Sequence, residues 1–114
     1  MMESNRQKKV ARLIQKDLSD IFLQETKAYY QGSMISITRV FVSKDFSLAK
    51  IYLSIFPNKS KEIIFEDVQK RRLQIKHKLS HKLKNQLRKT PDLIFYIDNS
   101  LEYYAHIEKL LKDI

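Results

Sequence analysis

The spacing of apolar residues changes several times along the chain, and each change marks an element. From residue 5 to about residue 24, Val10, Leu13, Ile14, Leu18, Ile21 and Phe22 recur every three or four positions. That is the period of one helix face. Lys8, Lys9, Arg12 and Lys16 fall on the opposite side, and Ser4 or Asn5 is a suitable cap. Residues 26–33 are polar, hold the single glycine, Gly32, and read as a connection. Met34–Val42 (MISITRVFV) is rich in β-branched residues and predicts a strand. Residues 43–47 read as a hairpin loop. Leu48–Phe56 then alternates strictly. Ala49, Ile51, Leu53 and Ile55 point one way, and Lys50, Tyr52 and Ser54 the other. One covered and one wet face suit an antiparallel pair.

Helical spacing returns from residue 61 to about residue 89, with Ile64, Val68, Ile75, Leu79, Leu83 and Leu87 as core contacts and Leu73 off the stripe. Repeated steps of four rotate the stripe around a straight helix. A kink or break is therefore expected within residues 71–78. Thr90 before Pro91 closes the segment, because the residue before proline is biased away from helical angles. Residues 93–97 (LIFYI) form a third, almost wholly apolar strand. Asn99 and Glu102 have capping-box spacing, and a last helix is expected over about 101–112. The order is helix, strand, strand, long helix, strand, helix. It predicts a single α+β domain over residues 1–114, with a three-stranded sheet covered by helices on one face. Lys50 and Tyr52 would lie on the open face.

Charge sharpens this picture. The 114 residues carry 22 Lys+Arg against 13 Asp+Glu, a net charge of +9. Residues 68–91 hold Lys70, Arg71, Arg72, Lys76, Lys78, Lys82, Lys84, Arg88 and Lys89 and no acid, so the whole excess falls in this stretch. A solvated face usually mixes both signs. A one-sign block is the composition of a surface that neutralises phosphates and gains affinity by counterion release. Lys8, Lys9 and Arg12 would assist. An anionic membrane fits less well, since the same stretch has no Trp or Phe for interfacial insertion.

Most catalytic chemistry lacks its residues. With one glycine there is no glycine-rich phosphate loop or dinucleotide fingerprint. With no cysteine there is no disulfide, thiolate metal site or cysteine nucleophile. His77 and His81 are four apart, but a metal needs further ligands and the surrounding cations oppose it. Neither a catalytic residue, a metal nor a cofactor is expected. No apolar run approaches the ~20 residues that span a bilayer, and the first ten residues lack the apolar stretch of a signal peptide. A soluble, cytoplasmic protein is expected.

Three blocks resemble bacterial ribosome-binding factor A. They are residues 6–22 (RQKKVARLIQKDLSDIF), 40–54 (VFVSKDFSLAKIYLS) and 91–101 (PDLIFYIDNSL). The second is similar to the family's V-x-V-S-x-D-L-x-x-A-x-V-Y-V-S hairpin, the third to its P-E-L-x-F-x-x-D-x-S. Together they cover about residues 6–111. The resemblance implies a KH-like fold of the type II arrangement and a non-enzymatic factor; a monomer is expected. It implies binding to the small ribosomal subunit and its rRNA in late maturation and processing, often important in the cold. It also implies release aided in many bacteria by an assembly GTPase. The alternative reading is an interaction module for an acidic protein. One departure stands out. The family places an Ala-x-Gly kink between the helices before the last strand, and that position falls near Leu73, Gln74 and Ile75, which include neither residue.

Overall fold

The computed structural model describes residues 3–98. The last helix expected from the sequence, with the Asn99–Glu102 capping box, lies outside them. The observed elements are α1 (Asn5–Tyr29), β1 (Met34–Val42), β2 (Leu48–Phe56), α2 (Lys61–Lys70), α3 (Arg72–Leu83) and β3 (Asp92–Ile97). The sheet order is β1-β2-β3, with β1 antiparallel and β3 parallel to β2.

Helix α1 begins with a reciprocal cap. The Gln7 amide donates to Ser4 Oγ at 3.0 Å, and the Ser4 amide donates to Gln7 Oε1 at 2.8 Å. Gln7 is buried, and its Nε2 donates to the Val42 carbonyl at 2.8 Å. One residue thus caps the helix and ties it to the end of β1. Two turns on, Gln15 Nε2 donates to the Ile37 carbonyl at 3.1 Å. Val10, Ile14, Leu18, Ile21 and Phe22 are buried, as their spacing requires. The helix continues beyond the expected end to Tyr29, because Glu25 and Thr26 extend the buried stripe with polar side chains. Thr26 satisfies its hydroxyl on the Phe22 and Leu23 carbonyls.

Strand β1 does not keep one phase. Its register against β2 shifts between Ile37 and Arg39, leaving Thr38 as an extra residue. A bulge inserts one residue and resets the alternation. Ile35 is buried before it, and Val40 and Val42 after it. In the following loop, Asp45 accepts from the Ser43 hydroxyl and from both the amide and hydroxyl of Ser47. The Ser47 bonds, then Ser43, pull its pKa down to about 2.

The expected long helix breaks at Arg71, whose φ of −96° and ψ of 12° leave the helical well. Its amide still reaches the Asp67 and Val68 carbonyls, both at 3.1 Å. The second half ends at Leu83, short of the expected residue 89. The chain has to turn there to enter β3, and Leu87 packs half-buried on the core from that turn. Lys84, Arg88 and Lys89 therefore lie beyond the helix. Ile64, Val68, Ile75, Leu79 and Leu83 are buried, while Leu73 is 72% exposed. All of the buried ones pack on the face of the sheet that carries Ala49, Ile51, Leu53, Leu93 and Phe95. Phe22 meets Phe95 edge to face, with centroids 6.0 Å apart.

Leu79→Ala should destabilise the fold by about 2–5 kcal/mol through the cavity it leaves. Leu73→Ala should stay within about 0.5 kcal/mol. Urea denaturation of both variants checks the phase of α3.

Candidate nucleic-acid interface

The cations of residues 68–91 separate into groups once folded. The first surrounds Glu25. This α1 residue sits at a position that continues the apolar stripe, and its side chain is 2% exposed. Lys78 Nζ donates to Glu25 Oε1 at 2.6 Å, and Arg71 Nη1 lies 2.5 Å from Oε2. Oε2 thus has its close partner in the Arg71 guanidinium. Arg71 also stands over the Tyr29 ring, 3.9 Å from its centroid, and its Nη1 reaches the Tyr30 hydroxyl at 3.5 Å. Partial burial works against the Arg71 charge, but Tyr30 and Glu25 outweigh it and raise the pKa further. The Tyr30 hydroxyl donates to Asp67 Oδ2 on α2. Burial, then that bond, pushes the Tyr30 pKa up to about 12. Helices α1, α2 and α3 are thereby joined at the break.

A second group surrounds Asp92 at the start of β3. Lys76 Nζ donates to Asp92 Oδ1 at 2.6 Å, and Lys89 and Arg72 add their fields. The Lys76 bond and charge hold the Asp92 carboxyl below the usual range. Of these three cations Lys76 alone contacts the carboxylate, Arg72 and Lys89 act on it through their charge, and Arg72, Lys76 and Asp92 border a concavity of about 340 Å³ with Leu48, Leu73 and Ile94. Two weaker pairs complete the set. Lys70 lies 3.7 Å from Glu66, and Lys82 lies 3.9 Å from Asp20. Lys84, Arg88 and Lys89 are exposed on the turn and connection after α3.

On α1, Lys8, Lys9 and Arg12 are exposed. Lys8 and Arg12 line a separate groove of about 240 Å³ with Arg39 of β1. The structure thus gathers Arg72, Lys76 and Lys89, and it commits Arg71 and Lys78 to Glu25. Lys8 and Arg12 stand apart from both. Arg39 and Glu25 were not singled out from the sequence. Glu25 had a signal, since it falls seven residues after Leu18 and four after Ile21, in phase with the stripe. His77 and His81 pack edge to face at 4.9 Å, and no group of three or more metal-ligating side chains exists among the described residues.

A family model, ribosome-binding factor A, matches residues 6–111. The chain belongs to the ribosome-binding factor A family. The family's protein from Christiangramia forsetii is 46% identical over 113 residues, covering 98% of this chain and 86% of that relative. A crystal structure of ribosome-binding factor A from Thermus thermophilus superimposes with a TM-score of 0.63 at 17% identity, over 80% of this chain and 94% of its own. A Thermus thermophilus ribosome binding factor A model fitted into the cryo-EM map of a 30S complex superimposes with a TM-score of 0.60 at 16% identity, over 76% of this chain and 89% of its own. The architecture is the KH-like fold of those structures. The interhelical break falls at Arg71, two residues before Leu73, near the position where the resemblance placed an Ala-x-Gly kink.

Two outcomes test the cluster at the break. Glu25→Ala should cost about 3 kcal/mol in urea denaturation, since it leaves the largely buried Arg71 without its counter-charge while Lys78 can turn to solvent. Tyr30 is protonated when its bonds form, so its contribution is complete below pH 10.0 and is lost as pH rises towards about 12. Tyr30→Phe should remove that alkaline loss, read as the pH dependence of the melting temperature.

Proposed function

We propose that this protein is a non-enzymatic assembly factor that docks on the small ribosomal subunit and contacts its rRNA during late maturation. Family membership supports the ribosome as partner, as does the 30S complex of the Thermus thermophilus relative. The observation that carries the rRNA contact is the gathering of Arg72, Lys76 and Lys89 around a single carboxylate, with Lys84 and Arg88 exposed beyond α3. Excess cations on one element and its connection are a surface that phosphates neutralise. Lys70 and Lys82 have only weak or exposed pairs, so phosphates compete for them readily. Lys8, Lys9 and Arg12 form a lesser contact. Arg71 and Lys78 shape the surface through Glu25, and half of the Lys78 side chain stays accessible.

Such a surface recognises folded RNA by the placement of its phosphates rather than by base sequence. Binding would hold the subunit in an immature conformation while rRNA processing is completed. Release would follow maturation, aided by an assembly GTPase. The setting is the cytoplasm, the protein acts as a single domain and a monomer, and growth in the cold is a condition in which it is needed. No helix of the described residues is long and apolar enough to cross a membrane.

The triple variant Arg72→Ala, Lys84→Ala, Lys89→Ala tests the reading. Its subunit affinity should fall, and the plot of log affinity against log salt should flatten by roughly one unit for each phosphate that is no longer neutralised. Its melting temperature should match the parent's. An unchanged affinity and slope would remove this surface from docking. Survival of the cellular complex after nuclease treatment would point to an acidic protein partner instead.

A further inference from the structure

The face of the sheet turned away from the helices has a pattern that the docking surface leaves unused. Arg39 of β1 pairs in register with Tyr52 of β2, and Tyr52 pairs with Tyr96 of β3. The two tyrosine rings stack, with centroids 5.1 Å apart and planes 21° from parallel. The Arg39 guanidinium carbon lies 6.0 Å from the Tyr52 centroid. A cation and two rings thus form one row across all three strands. In the row two residues along, Lys50 is paired with Phe41 on one side and Ile94 on the other. β3 is an edge strand, so the row ends at Tyr96, which is 37% exposed.

This chemistry selects an occupant. A stacked pair ending in an accessible ring offers a π-face, which an unpaired base has and a base-paired helix keeps inside its own stack. Arg39 and Lys50 supply positive charge beside it. The neighbouring carboxylates are engaged: Asp92 by Lys76 at 2.6 Å, and Asp98 by the Thr38 hydroxyl at 2.5 Å.

We propose that this row is a second RNA contact, which takes an unpaired nucleobase onto the exposed ring of Tyr96 while Arg39 and Lys50 meet the adjoining phosphates. The inference rests on the RNA reading above but uses a surface distinct from the α3 side, sharing with the lesser α1 contact only Arg39, which also borders the groove of Lys8 and Arg12. It divides the labour: the α3 side grips folded rRNA, and the sheet face holds a single-stranded segment.

The test titrates the 114-residue chain with a short adenine oligoribonucleotide, and separately with a duplex of equal length. Tyrosine ring protons and backbone amides are followed by NMR. The single strand should move the Tyr52 and Tyr96 ring signals upfield, and the duplex should not. Tyr96→Ala should weaken single-strand binding about tenfold, the effect of removing one stacked ring. Tyr96→Phe should bind as the parent does, and neither variant should change duplex binding. Unmoved ring signals alongside shifted α3 amides would overturn this inference and leave the docking surface standing. Silence in both regions would overturn both. Equal single-strand affinity for Tyr96→Ala and the parent would also overturn it, as would equal ring shifts with the duplex. The titration of the parent chain decides between these outcomes whether or not the alanine variant folds.

Discussion

A carboxylate withdrawn from water has to be met by cations, and the Glu25 side chain imposes that condition on three helices at once. Arg71 answers it from the break and Lys78 from α3, two turns further on. That pairing fixes how α3 lies on α1. It also fixes where the helix breaks. A straight helix through Arg71 would carry a stripe that rotates away from the sheet, whereas Ile64 and Val68 before the break and Ile75, Leu79 and Leu83 after it must all reach the same sheet. The backbone leaves helical angles at the residue whose side chain is held by Glu25, Tyr29 and Tyr30. A glycine at such a break supplies conformational freedom. Here side-chain contacts select the conformation that a glycine would merely permit.

The same constraint redistributes the charge. Residues 68–91 contain no acid, yet Arg71, Lys76 and Lys78 each touch a carboxylate from α1 or β3. Freedom from acids along the chain is not freedom from acids in space. What survives is local: Arg72, Lys76 and Lys89 outnumber Asp92, and Lys84 and Arg88 lie beyond the helix end. The excess positive potential therefore shifts away from the break, where cations have structural work, and towards the entry into β3.

Much of the fold was legible because burial follows periodicity. The stripe of α1, the alternation of β2 and the drift of the long helix each placed apolar side chains on the covered face, and the drift located the break within a few residues. Leu73 fell off the stripe and is exposed. Three features escaped, each for a physical reason. The α1 end was set too early because Glu25 and Thr26 are polar, and polarity marks a loop only when no partner waits inside. The bulge at Thr38 was hidden because one inserted residue reverses alternation without changing composition. The helix end at Leu83 was hidden because Leu87 keeps the helical spacing while packing from a turn. Of the site, the cations were legible as a set. Their division between Glu25, Asp92 and solvent depends on contacts between elements far apart in the chain, which no local pattern encodes.

The parallel placement of β3 ties the two proposed RNA surfaces together. A parallel strand needs a crossover, and here the crossover is α2, the break, α3 and the cationic connection. The strand consequently starts where those cations gather, at Asp92, and its edge runs on to Tyr96. Four residues of strand span roughly 13 Å, a distance that a few nucleotides of unpaired RNA bridge. A β-hairpin return would have placed the strand's start at a tight turn with no room for α3 and no cations beside it. The topology that closes the core therefore also sets the proposed phosphate-binding end and the proposed stacking end along one edge of the sheet.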